Sequence, residues 1–198
     1  MKLEPGMVGS GDGHDLPAKL QHFFAGKGAS HAFIITYPTG YAKDIDMVFE
    51  ADMRVVHTPW LRFTEDTTYK YWIFKIKDVT EEEINYALDY CIREFASVIY
   101  GFWSWPWFVW KWFAEKFLQK DVRKENNWFT KGVICDELWW WFIYKLTEKV
   151  LQRLPNSKHW LKLQNHLKEW NPDTIQSAEV KKIMFSFPQI FQFYISHE

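Results

Sequence analysis

The chain has 198 residues, 47% of them hydrophobic, which is enough to bury a substantial core without disulfide support. Its 24 basic and 25 acidic side chains leave a net charge of −1 spread along the sequence, so the basic footprint of a nucleic-acid-binding protein is missing. Two cysteines, Cys91 and Cys135, do not make a secreted disulfide framework and point to a reducing compartment, although a bond between the two stays open at this level.

In chain order, Gly6 to Gly13 reads as a flexible entry loop. Leu16 to Phe24 reads as a short helix with Pro17 near its start, ended by Gly26-Lys27-Gly28. His31 to Tyr37 is a strand turned by Pro38-Thr39-Gly40. Asp46 to Ala51, Arg54 to His57 and Tyr69 to Lys77 follow as strands, and together they predict an antiparallel meander. Thr80 and Glu83 form a capping box that launches a helix to about Ala96. On that helix, positions 84, 87, 88, 91, 92 and 95 make one apolar face, which places Cys91 in the core.

Thirteen tryptophans are unusual, and five of them fall between Trp103 and Trp112. This Trp-rich segment, about 102–120, is expected to be helical from Trp107 to Lys120. It is too short and interrupted to span a bilayer, but Trp favours membrane interfaces, so Trp103, Trp105, Trp107 and Trp110 are candidates for peripheral membrane contact. The other reading is a packed aromatic core or a partner-binding face. Asp121 to Asn127 is a charged loop. Val133 to Leu154 is a long helix carrying Cys135 in its first turn, where Trp139-Trp140-Trp141 cannot all face one way. After Pro155-Asn156-Ser157 a helical extension, about 156–170, runs to Trp170. Asn171-Pro172-Asp173 restarts the chain, and Ile190 to Ile195 reads as a closing strand. No repeat or low-complexity tract interrupts what is expected to be one domain over 1–198.

Chemistry concentrates on Cys135. A helix N-terminus lowers a thiol pKa through its unpaired N–H groups and dipole, and a histidine facing it from a strand can take and return the proton. His31 opens the first apolar strand, and Glu50 sits nineteen residues later in the otherwise apolar Val48-Phe49-Glu50-Ala51. Two consecutive antiparallel strands bring these side by side, so the carboxylate can accept the imidazole N–H. Each residue alone has an ordinary structural role; order and setting together make Cys135, His31 and Glu50 the candidate catalytic set. Metal binding is a poor rival, because His14, His22 and His31 lack helical i,i+4 pairing and no CxxC occurs. No cofactor is expected.

These segments resemble the circularly permuted NlpC-type papain-like hydrolases, the YiiX and YaeF-like group, in which the histidine strand precedes the cysteine helix. The resemblance runs through Ser30-His31-Ala32-Phe33-Ile34-Ile35, Val48-Phe49-Glu50-Ala51, Val56-His57-Thr58-Pro59-Trp60-Leu61 and Tyr100-Gly101-Phe102-Trp103. It continues in Ile134-Cys135-Asp136-Glu137-Leu138 and Asn171-Pro172-Asp173-Thr174-Ile175-Gln176-Ser177. It implies an α+β, papain-like, circularly permuted fold with a barrel-like antiparallel sheet packed on helices and the cysteine at a helix N-terminus. It also implies a Cys135, His31, Glu50 triad acting on amides or acyl groups of peptide or lipid-linked substrates. Asp136 stands where the group has Ser, and Gly9-Ser10-Gly11-Asp12-Gly13 stands where it has a Pro-Gly-Asp entry motif.

The expected function is a thiol hydrolase working through a thioacyl intermediate. The alternatives are an interfacial acyltransferase, or a non-catalytic interaction protein that uses the same scaffold and its aromatic face. Met1 to Leu16 lacks the basic start and apolar stretch of a signal peptide, and no segment reads as a membrane span, so a cytoplasmic location is expected.

Overall fold

Strand β2, His31–Thr36, is buried at every position after its first because both of its faces are covered. Ala32 and Ile34 belong to one apolar cluster, while Phe33 and Ile35 belong to another, as period-two alternation requires. The same split runs along β5, Lys70–Ile76, where Trp72, Phe74 and Ile76 face one cluster and Tyr71 and Ile73 the other. The computed structural model describes residues 3–12, 30–37, 45–51, 54–65, 68–99, 101, 105–125 and 132–197. The expected helix from Leu16 to Phe24, the Gly26-Lys27-Gly28 and Pro38-Thr39-Gly40 turns, His14, His22, Tyr100 and Trp103 lie outside those residues.

The fold is α+β, with a six-stranded antiparallel sheet packed against helices. Besides β2 and β5, the strands are β1 (Val8–Asp12), β3 (Met47–Ala51), β4 (Val55–Pro59) and β6 (Phe191–His197), in the order β4-β3-β2-β1-β5-β6. Two expectations are corrected here. The segment read as a flexible entry loop is β1, a central strand, and β5 therefore pairs with β1 rather than continuing a meander from β4. Glycine was the misleading signal. A Cβ at Gly9 would lie 2.2 Å from Phe33 ring atoms, and one at Gly11 would lie 1.8 Å from the Tyr69 hydroxyl. Both glycines are there because aromatic side chains lie across the strand.

The sheet is also open rather than barrel-like among the described residues, with β4 and β6 at its edges. Part of the outer side of β4 is taken by residues 97–99, through Val55 N–H to the Val98 carbonyl, Ser97 N–H to the Val55 carbonyl, and an Arg54 to Ile99 bridge.

Among the described residues six α-helices accompany the sheet: α1 (Leu61–Glu65), α2 (Glu81–Phe95), α3 (Trp105–Phe117), α4 (Cys135–Arg153), α5 (Lys158–Leu167) and α6 (Ser177–Ser186). Thr80 caps α2 with the reciprocal Glu83 bond expected of a capping box, and Cys91 is buried on its inner face. Helix α4 is the hub. It packs on α2, α5, α6 and β2, burying Leu138, Trp139, Phe142, Ile143, Leu146 and Val150, each worth about 1.5–3 kcal/mol. Trp139 and Trp140 are buried and Trp141 is half-buried against Tyr90 and Tyr144. Leu154 ends the helix just before Pro155, which biases the residue preceding it away from helix.

Helix α3 distributes its side chains in an unexpected way. Trp107, Lys111 and Ala114, spaced i, i+4 and i+7, are fully buried, whereas Val109, Phe113 and Phe117 are 39%, 42% and 58% exposed. The buried face thus carries a lysine and the exposed face an apolar stripe. Trp107, one of the candidates for membrane contact, is core, as the packed-aromatic reading has it, and Trp110 is half-buried.

Candidate active site

The three candidate residues come from three elements that meet at one end of β2. His31 is the first residue of that strand, and Glu50 is on β3, whose ladder with β2 runs only from Ile34 to Thr36. His31 and Glu50 lie on the same side of the sheet as Phe33 and Val48 by alternation, so their side chains meet diagonally across the strand pair. His31 Nε2 and Glu50 Oε2 are 2.6 Å apart. Glu50 is buried. Burial raises its pKa, but the bond and charge of His31, a bond from Thr58 and the charge of Arg62 outweigh this and hold it below the usual carboxylate range. An ionised Glu50 can only accept, so Nε2 donates and Nδ1 is the nitrogen left to face Cys135. The imidazole stacks on both Phe33 and Phe63, each with its centroid 6.2 Å away, those two rings packing on each other at 5.4 Å, and the His31 side chain is 18% exposed.

Cys135 is the first residue of α4, and Ile134, the N-cap, supplies no side-chain bond to the opening turn. The thiol is buried. It lies against the His31 ring, receives the Ala32 N–H that lies beyond the β2–β3 ladder, and donates its one proton to Asp136 Oδ1 at 3.6 Å. The structure thus brings Cys135, His31 and Glu50 together, with a hydrogen bond between His31 and Glu50 and the thiol beside the ring.

The electrostatics depart from the expectation of an acidic thiol. Burial is the largest influence on Cys135 and raises its pKa, and Asp136 raises it further. The opposing pull of His31 and the Ala32 N–H does not overcome them. Burial likewise works against the charged imidazole, yet Cys135 and Glu50 more than offset it and raise His31 well above its ordinary value. The two groups share protons and titrate as a pair. Cys135 at rest is therefore a thiol, beside an imidazole that binds a proton more tightly than a free histidine.

Cys91 is free and buried elsewhere, and burial pushes its thiol far up. His57 is not part of the group; its ring packs on Phe49, 4.8 Å between centroids, and burial lowers its pKa. Residues that the motif reading did not single out are Thr58, Ala32 through its backbone, and Ser177, whose hydroxyl donates to Asp136 Oδ1 at 2.5 Å. Of these only Thr58 left a trace in sequence, as a hydroxyl residue on the strand that follows Glu50.

No family model matches the chain, and no curated protein matches it. Among solved structures it is similar to the crystal structure of the metalloprotein YiiX from Escherichia coli O157:H7. That likeness has 15% sequence identity, covers 68% of this chain and 90% of that one, and has a TM-score of 0.43. Among the described residues no group of three or more His, Cys, Asp or Glu could hold a metal ion, and no helix is long and apolar enough to cross a membrane.

Proposed function

We propose that the protein is a thiol hydrolase with a permuted papain-like order of elements, in which Cys135 is the nucleophile, His31 the base and Glu50 the residue that orients the imidazole. The observation that carries this reading is the 2.6 Å contact between His31 Nε2 and Glu50 Oε2 on a ring that also lies against Cys135. Nδ1 takes the thiol proton as sulfur attacks the carbonyl carbon of an amide or ester. The tetrahedral oxyanion is met by the Cys135 N–H at the start of α4. Collapse transfers the proton to the leaving amine or alcohol and leaves a thioester on Cys135. Water attacks that carbonyl, giving its proton to His31, and the thiol leaves with the acid product free.

Because burial and Asp136 raise the thiol, the pair gives up its first proton late. Turnover then rises with pH through that step and falls when the imidazolium proton is lost, so the bell lies on the alkaline side of neutrality. A thiol-directed alkylating probe, read by mass spectrometry on the native protein, should mark Cys135 and not Cys91, and His31→Ala should slow that labelling. A panel of nitrophenyl esters and dipeptide amides should show turnover and an acyl adduct on Cys135. An unlabelled Cys135 together with no turnover across the panel would sink the proposal.

The exposed stripe of Val109, Phe113 and Phe117 favours an acyl substrate presented at a lipid surface over a free peptide. Wild-type protein should co-sediment with phosphatidylcholine vesicles, and the Phe113→Ser, Phe117→Ser double variant should lose most of that binding. Equal sedimentation of the two, or none by wild type, removes this part of the reading.

A further inference from the structure

The nucleophile has a second proton acceptor that the hydrolytic scheme does not use. Asp136 is fully enclosed, and its Oδ1 accepts two bonds, one from the Cys135 thiol at 3.6 Å and one from the Ser177 hydroxyl at 2.5 Å. Ser177 is the first residue of α6, which packs across β1 and β2, so the partner of Asp136 comes from a different element than the nucleophile. The charged groups facing Asp136 are His31 from β2 and Glu179 from α6, and Glu179 is bound in turn to Lys111 of α3. On its own helix Asp136 adjoins the Cys135 thiol.

We propose that Asp136, braced by Ser177, is a positioning residue that holds the Cys135 thiol as a resting S–H donor and so competes with His31 for its proton. The inference rests on the thiol-hydrolase reading above. Its chemistry is a choice between two acceptors. With the thiol turned to Asp136 the proton stays on sulfur. With the thiol turned to Nδ1 it passes to the ring, and sulfur becomes a nucleophile. A carboxylate beside sulfur also disfavours the thiolate by charge, which is the direction found for Cys135. Burial is the main cause that pushes the Asp136 pKa up, to about 7, and the Ser177 bond opposes it. Asp136 is therefore neutral below that pH and restrains the thiolate above it. Ser177, by favouring the ionised carboxylate, sets how strongly.

Two variants on different helices test the idea through the pH dependence of Cys135 alkylation. Asp136→Asn keeps the shape and removes the charge, and should lower the alkylation midpoint by about one pH unit, or about tenfold faster labelling below it. Ser177→Ala keeps the carboxylate but makes it harder to ionise, and should move the midpoint in the same direction by less. A purely structural Asp136 would alter stability and leave both midpoints in place.

Should either variant fail to fold, the wild-type protein still decides. The Asp136 carboxyl, followed by carbon NMR, should titrate near neutrality, and its titration should shift once Cys135 is alkylated. Midpoints equal to wild type in the folded variants, or an Asp136 titration indifferent to alkylation, overturn the inference. In that event a His31-dependent Cys135 leaves the hydrolase reading standing, whereas a Cys135 that labels independently of His31 removes both.

Discussion

Glu50→Gln is expected to fold and to lose about 10³–10⁴-fold in kcat with little change in KM. Glu50 is buried and ionised, and its Oε2 lies 2.6 Å from His31 Nε2. Glutamine has nearly the same shape but carries an NH₂ group that can turn toward Nε2 and donate. The ring proton then moves to Nδ1, the nitrogen that must accept from the thiol, and the base is lost without any atom moving far. Steady-state kinetics on an ester substrate, with nitrogen NMR of the His31 ring to report its tautomer, measures both halves of the argument. A loss under tenfold with the tautomer unchanged would mean that Glu50 does not orient the base.

Lys111→Met should lower folding stability by about 3–5 kcal/mol, read as a shift of the urea midpoint. The Lys111 side chain is fully buried, with Nζ 2.8 Å from the Thr174 carbonyl and 3.0 and 3.1 Å from the two oxygens of Glu179, and it lies over the Trp170 ring. Removing it strips Glu179, whose side chain is only 19% exposed, of its hydrogen-bonded counter-charge, and burial already raises that carboxyl even with the lysine present. Adding Glu179→Gln to Lys111→Met should recover most of the loss, because the cost lies in the stranded charge rather than in the missing bond. If Lys111→Met stays within about 1 kcal/mol of wild type, or the double variant is as unstable as the single, the pair does not join α3 to α6 in the way its geometry implies.

Much of this was legible from residue pattern. Alternation and apolar runs marked β2, β3, β4, β5 and β6. The capping box marked the start of α2, and the long helix read from Val133 to Leu154 covers α4. Cys135, His31 and Glu50 were legible because each is a chemically distinct residue in an apolar setting. What failed did so for physical reasons. Strand β1 was hidden because Gly9 and Gly11 carry the composition of a loop, and only the rings of Phe33 and Tyr69, brought in by tertiary packing, explain them. Sheet order was hidden for the same reason, since an unrecognised central strand reroutes β5. The inward face of helix α3 is not legible in sequence, because it includes a lysine whose partner lies 68 positions away. The thiol's electrostatics were misread because a helix dipole is visible in sequence and desolvation is not.

Phe33 ties Gly9 to His31: its ring fills the space a Gly9 side chain would need and stacks against the imidazole on its other flank. The precision of the base is thus set by a residue with no functional group, in the apolar cluster on the other face of β2 from the one that holds Cys135. Tolerance maps of this chain would accordingly mark Gly9 as strictly as they mark His31. Intolerance there would measure how tightly the imidazole is held in place, and it should not be mistaken for contact with substrate.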